Sequence, residues 1–367
     1  MSRLDELIAE LCPDGVENKR LTDATVMKRG TSLTKKNATI GAFPVISGGR
    51  EPAFFCDTFN REDETITVAG SGAGAGYVQY WNKPIFVCDA FSIKGTNSIL
   101  TKYLYYCLAN MQDKIYSTKT GGGIPHVHIS SIENFTIPIP PLPVQREIVR
   151  ILDNFTELTA ELTAELTAEL TARKKQYEYY RDELLTFGDD VPRAKLGDVS
   201  DISRGVRVVK KQLIPDGTYP VYQNSLAPMG YYDKHNCYAN TTYVISAGAA
   251  GEIGFCDKDF WAADDCLVFS NLNGVIDKYI YYFLMTKQDF IRANVRTASI
   301  PRLSRTVLEN LQIPLLSLEE QRRIVSILDR FDTLCNDITK GLPAEITARQ
   351  KQYEYYRDKL LTFKELT

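Results

Sequence analysis

The chain has 367 residues, 44% hydrophobic and 24% charged, with a net charge of −3; this suits an ordinary soluble protein with two cores of roughly 100–150 residues each. No apolar run reaches about 18 residues, which excludes a membrane-spanning helix, and the acidic, amphipathic start MSRLDELIAELCPDG is unlike a secretory signal, so a cytoplasmic location is expected. Cysteines 12, 56, 88, 107, 237, 256, 266 and 335 form no C-x-x-C pair and read as reduced core thiols, with neither zinc nor disulfides expected.

Residues 1–17 carry a net −4 and open with a short amphipathic stretch, whereas 18–140 carry +4. The cations of this second stretch gather beside turn residues. They include Lys28-Arg29-Gly30, Lys35-Lys36, Ser47-Gly48-Gly49-Arg50 and Lys119-Thr120-Gly121-Gly122-Gly123, which leads to His126 and His128. Short β-like runs at 65–68 and 85–88 and a helix from Lys102 onward predict a mixed α/β globule. Gly70, Gly72, Gly74 and Gly76 lack a following P-loop lysine and a helix opening, so they predict a tight bend in a sheet. His126 and His128 are expected as neighbours on a strand face, where loop contacts are favoured over a metal because no third ligand is evident.

From about 143 to 185 the pattern becomes helical. Pro143 suits a first helical position, and apolar residues recur at Val144, Ile148, Ile151, Leu152 and Phe155. At about 1.5 Å per residue this rod would be roughly 65 Å long. It contains TAEL three times, over 159–170. A four-residue period overshoots the helical turn by about 40°, so Leu158, Leu162, Leu166 and Leu170 wind around the rod and the segment reads as a spacer.

Residues 193–316 carry +2 and their own polar set: Arg204, Arg207, Lys210-Lys211, Gln223-Asn224-Ser225, Arg292, Arg296, Arg302 and Arg305. Strand-like runs at 243–246 and 266–269 and a helix from Lys278 complete a second mixed α/β globule. Ser317 and Glu320 form an S-x-x-E capping box for a second long helix, in which Gly341 and Pro343 predict a kink or break.

The chain is one architecture written twice. RKKQYEYYRDELLTF at 173–187 returns as RQKQYEYYRDKLLTF at 349–363, 176 residues later. At that offset Gln145, Asp153 and Phe155 match Gln321, Asp329 and Phe331; Lys102, Tyr103 and Tyr106 match Lys278, Tyr279 and Tyr282; and Ile124-Pro125 matches Ile300-Pro301. Arg29-Gly30 matches Arg204-Gly205 at 175. A period this long means a duplicated domain, since solenoid repeats are several-fold shorter. The helical segments agree closely while 18–140 and 193–316 keep only scattered anchors, so a shared frame carries two different specificities.

The predicted divisions are 1–140, a first recognition domain with a short N-terminal helix; 141–187, the central helix with its spacer; 188–316, a second recognition domain; and 317–367, a distal helix. Two helices of near-equal length can pack antiparallel through Ile148, Leu152, Tyr177, Tyr180 and Leu184 and their echoes Ile324, Leu328, Tyr353, Tyr356 and Leu360. That arrangement relates the α/β domains by a pseudo-twofold axis and suits two half-sites on one duplex. The same tyrosines also suit a surface for a protein partner.

Alternating variable domains and repeated helices, with the RKKQYEYYRDELLTF segment and the TAEL run, resemble the specificity subunit of type I restriction-modification enzymes over the whole chain. The resemblance implies two mixed α/β target recognition domains, each reading one half of a bipartite, asymmetric double-stranded DNA site, on coiled-coil-like antiparallel helices that set the gap. It implies two methylation subunits carrying S-adenosylmethionine for N6 methylation of adenine, and two restriction subunits using ATP and Mg. No cofactor or metal is then expected on this chain, and no catalysis.

The residues agree with a non-catalytic role. Pro140-Pro141 lies between Ile139 and Leu142 and is no methyltransferase tetrad, and no G-x-x-x-x-G-K-S/T loop occurs. Pro13-Asp14, Glu17 and Lys19 imitate a nuclease set within one turn-rich loop. The candidate DNA contacts are Lys28, Arg29, Lys35, Lys36, Arg50, Lys119, Thr120 and His126 in the first domain. In the second they are Arg204, Arg207, Lys210, Lys211, Gln223, Asn224, Arg296, Arg302 and Arg305. Arginine can read guanine edges, Asn and Gln adenine, and Lys and Thr phosphates. A non-catalytic protein scaffold with paired binding domains is the other reading the residues leave open.

Overall fold

A computed structural model describes residues 2–297, 299–336 and 341–366. The chain folds into two units: residues 1–165 with 346–367, and residues 166–345. Each therefore takes its helical part from both copies of the repeat.

In the first unit a four-stranded antiparallel sheet has the order Thr25–Arg29, Ala90–Gly95, Thr65–Ala69, Val78–Trp81. Its central strand, TITVA, is buried along its whole length, as expected for β-branched residues packed on both faces. A three-stranded sheet orders Phe54–Cys56, Phe43–Ile46 and Phe86–Val87, the last pair parallel. Asn18–Arg20 pairs with Thr136–Pro138. The second unit repeats these sheets. Asp201–Arg204, Cys266–Ser270, Thr241–Ile245 and Ile253–Cys256 form its larger sheet; Gly230–Tyr232, Tyr219–Tyr222 and Trp261–Ala262 form the smaller; and Arg193–Lys195 pairs with Gln312–Pro314.

The glycine run is the bend the sequence predicts. It turns Thr65–Ala69 back into Val78–Trp81, with Gly72 and Gly76 at φ of +77° and +82°. Gly248 and Gly251 do the same in the second unit, at +84° and +90°. These left-handed positions favour glycine because a Cβ crowds the backbone there.

Matched residues on the long helices and on the globules fasten each globule to its rod. Gln145 is fully buried; its Oε1 accepts the Leu100 N–H at 2.9 Å, and its Nε2 donates to the carbonyls of Ser98 and Pro140. Gln321 repeats this on Ile276, Gly274 and Leu316. The Tyr106 hydroxyl donates to Asp153 at 2.5 Å and Lys102 pairs with the same carboxylate at 2.9 Å; Tyr282, Lys278 and Asp329 form the copy at the same distances. Burial, reinforced by the carboxylate, pushes both tyrosine hydroxyls far above their ordinary range.

The central helix runs unbroken over Leu142–Leu184, 43 residues. The distal copy comprises Leu318–Asn336 and Leu342–Leu361. Residues 337–340 lie outside the described residues. Pro343 sits in the first turn of the last helix, where a missing N–H costs nothing. Ser317 accepts the Glu320 N–H at 3.2 Å as predicted, while the Glu320 carboxylate holds Arg323 at 2.6 Å.

Within the first unit the Phe155 ring meets Tyr356 at 6.0 Å and Thr156 bonds Tyr353. Within the second, Phe331 stacks on Tyr180 at 5.8 Å. Phe155–Tyr356 and Phe331–Tyr180 are the same contact, each partner taken from the opposite copy. As residue numbers rise from Phe155 to Thr156, the partners descend from Tyr356 to Tyr353, so the helices of this unit run antiparallel. The TAEL leucines do wind: Leu158 is exposed, Leu162 and Leu170 half-buried and Leu166 buried.

The eight cysteines are free thiols, seven of them buried and Cys88 half-buried. No helix among the described residues is long and apolar enough to cross a membrane.

One half-buried carboxylate distinguishes the second unit. The Asp277 carboxylate accepts the Thr242 N–H at 2.6 Å, where the first copy has Thr101 and Ile66. Burial pushes this carboxyl up to about 6 from 3.8, against the opposing Thr242 hydrogen bonds. The folded state thus binds the proton more tightly than the unfolded chain, so stability falls as pH rises from about 4 to 6 and the cost is fully present above that. Asp277→Asn, which keeps an acceptor without a charge, is expected to exceed the parent by about 2 kcal/mol at pH 7.5 and by nothing at pH 4. Denaturant unfolding at the two pH values checks this; an equal gain at both would remove the charge explanation.

Candidate nucleic-acid interface

In each unit an edge strand of the larger sheet ends on a cationic side chain. Lys28 and Arg29 close the edge strand Thr25–Arg29, opposite Ser92 and Phe91, and both are exposed. The chain then turns so tightly that a Cβ on Gly30 would lie 2.1 Å from the Cys88 carbonyl oxygen. Gly205 repeats this after Arg204, 2.2 Å from the Ala262 oxygen. Glycine is required there because the opposing atoms are backbone.

Three cationic loops of the first unit meet. A Cβ on Gly74 would touch the Gly48 oxygen at 2.5 Å. Arg50 lies 4.9 Å over the Tyr77 ring, and its carbonyl accepts from Gln79 at 2.5 Å. His126 forms backbone bridges with Ser71 and Thr120, and Lys119 stands 4.1 Å over the Tyr116 ring. Arg29, Gly70, Asp89, His126 and His128 line a pocket of about 380 Å³. Asp89 accepts from the Ser71 hydroxyl. Lys35 and Lys36 are exposed on a separate turn and do not line this pocket.

The two histidines correct an expectation. His126 belongs to a bridged loop and His128 precedes the short helix Ile129–Ile132, so they share no strand. Their rings nevertheless stack at 5.9 Å. Pro125 and the helix start make the chain turn where alternation alone implies a straight strand.

The second unit keeps the frame and changes the side chains. Arg204 ends its edge strand opposite Leu267. Arg207 is exposed, and Lys210 and Lys211 lie on the single turn Lys210–Gln212. Asn224 stands where the first copy has Gly48, its carbonyl accepting the Ala249 N–H at 2.9 Å; Gln223 beside it is half-buried. Arg296 and Arg302 bridge each other and occupy the places of Thr120 and His126. Arg305 is held internally, by Glu309 at 2.9 Å and by the Ile202 carbonyl. Arg292 likewise pairs with Glu252 at 2.7 Å.

Arg61 is the basic residue sequence reasoning missed. Its guanidinium bonds the Ser92 hydroxyl and the carbonyls of Asn60 and Arg29, at 2.7, 2.7 and 3.0 Å, and burial lowers its pKa. It fixes the strand end that presents Arg29. No local sequence pattern distinguishes it, because Ser92 and Arg29 lie 31 and 32 residues away.

Ile148, Leu152 and Leu360 belong to the first unit's core, and Tyr177, Leu184, Ile324 and Leu328 to the second's. Tyr180, Tyr353 and Tyr356 complete the aromatic contacts between helices. Among the described residues no group of three His, Cys, Asp or Glu side chains is placed to hold a metal ion.

Residues 13–172 and 189–348 each match the model of the type I restriction modification DNA specificity domain. The chain belongs to that family. The two matches start 176 residues apart, the spacing of the internal repeat. A putative type I restriction enzyme specificity subunit of Haemophilus influenzae is 34% identical over 376 residues, covering 95% of this chain and 96% of its own. The EcoR124I/EcoR124II specificity subunit of Escherichia coli is 36% identical over 300 residues, covering 73% and 72%. The crystal structure of the type I restriction-modification S subunit from M. genitalium shares the fold, with a TM-score of 0.56 at 20% identity over 94% of this chain and 96% of that one. As a type I specificity subunit, this chain has two family domains built on the duplicated frame described above.

Proposed function

We propose that each α/β domain reads one half of a bipartite, asymmetric site on double-stranded DNA, and that the central and distal helices set the gap between halves and dock two methylation subunits. The observation that carries this reading is the same cationic edge built twice on one strand frame with different side chains: Arg50, Lys119 and His126 in one copy, Arg207, Asn224 and Arg302 in the other. An unvarying frame with varied loops suits two unlike half-sites read in one manner. The functional division is 1–140 and 188–316 for reading, and 141–187 and 317–367 for spacing and docking. The chain contributes the address and no catalysis. S-adenosylmethionine, ATP and Mg belong to its partners, two methylation and two restriction subunits, and the complex works in the cytoplasm.

The assembled complex is expected to bind one bipartite sequence selectively, with affinity falling steeply as salt rises. A salt-independent, unselective complex would favour a protein scaffold instead. Deleting Thr163–Leu166 removes about 6 Å and one TAEL unit from the central helix. Mapping of N6-methyladenine is expected to show both half-sites unchanged and the gap shortened by one or two base pairs; changed letters in either half would contradict the ruler.

A further inference from the structure

Each unit holds an isoleucine in solvent at its cationic edge. Ile124 is 61% exposed and Ile300 52%. Neither loop is loose at its base. Thr120 and His126 exchange both backbone hydrogen bonds, at 3.0 and 2.8 Å, as do Arg296 and Arg302, at 2.9 and 3.2 Å. The carbonyl of Pro125 accepts the Gly72 N–H at 3.0 Å and that of Pro301 the Gly248 N–H at 3.3 Å. Directly beyond, Val127 and Leu303 are buried in the cores of their units. Gly122 and Gly123 have open space around them, so the first tip is slim as well as anchored.

The neighbours of these tips differ between the copies, His126 standing for Arg302 and Thr120 for Arg296, yet Ile-Pro is the same in both. A side chain that reads a letter is free to differ between two unlike half-sites. One that is identical does something both halves need. Isoleucine has no donor or acceptor for a base edge, while apolar side chains can enter a base step and unstack it.

Resting on the DNA-reading function above, we propose that Ile124 and Ile300 are wedges, each pressed into the base stack of one half-site and opening a step without reading its letters. Lys119 beside the first tip holds a flanking phosphate.

The test uses the complete complex with its methylation subunits, on duplexes of its mapped site carrying 2-aminopurine at successive positions. The parent is expected to raise fluorescence at one step in each half. Ile124→Ala should abolish the rise in one half and Ile300→Ala in the other. Each should cost about tenfold in affinity, about 1.4 kcal/mol, with the salt slope unchanged because no charge is lost. Ile124→Leu should restore the signal, and thermal unfolding of the alanine variants should match the parent because both side chains stand in solvent. Selective binding without any rise, or a rise that survives Ile124→Ala, overturns the wedge and leaves half-site reading intact. Loss of assembly with the methylation subunits in Ile124→Ala assigns the tip to a protein contact and overturns it too. Absence of selective binding by the parent overturns the underlying function.

Discussion

Gly30→Ala is expected to abolish recognition of one half-site while leaving the other intact. The added methyl would lie 2.1 Å from the Cys88 carbonyl oxygen and 2.6 Å from that of Val87, and neither can rotate away as a side-chain tip would. The strand end must shift, breaking the Gly30 N–H bond to Ala90 at 2.9 Å and moving Arg29 off the pocket it lines with His126. Overpacking against backbone costs about 3 kcal/mol, enough to displace the edge without unfolding a unit of this size. Gly205→Ala should do the same in the second domain, where the Ala262 and Ala263 oxygens stand 2.2 and 2.4 Å away. Binding to duplexes with one half-site scrambled at a time measures both variants. Equal damage to both halves by Gly30→Ala would refute independent domains.

The second large effect is expected at the clamp between globule and rod. Gln145→Leu keeps the volume but strands the Leu100 N–H and the Ser98 and Pro140 carbonyls, all bonded at 2.7 to 2.9 Å. An unpaired buried donor alone costs about 1–3 kcal/mol, and roughly 3 kcal/mol in all corresponds to about 6–12 °C of midpoint for a unit of this size. Hydrogen exchange locates the damage: amides of Thr101–Asn110 should lose protection while those of Asp277–Thr286 keep theirs. Gln321→Leu should give the reverse. Loss of protection in both helices from either variant would mean that the units do not open separately.

These two sites were legible to different degrees. Gln145 and Gln321 stand out as a match at the repeat offset, but their role required knowing that a helix N-terminus 45 residues earlier lies against them. Arg29 and Gly30 are visible as a basic turn, whereas the reason for the glycine is a backbone atom more than 50 residues away. Arg61 was invisible because two of its partners come from distant strands. Arg305 was legible as a cation but not as one already held by Glu309, since only the helix Arg305–Glu309 sets that spacing.

The amino-acid sequence by itself determined the duplication, the mixed α/β class and the helical rods, because periodicity and capping act over a few residues and repeat at a fixed offset. Only the tertiary structure decided which half of each rod packs on which domain, and which cations gather into one edge while others are neutralised at home. Those outcomes depend on strands and helices far apart in the chain approaching within a hydrogen bond, a condition that local spacing does not encode.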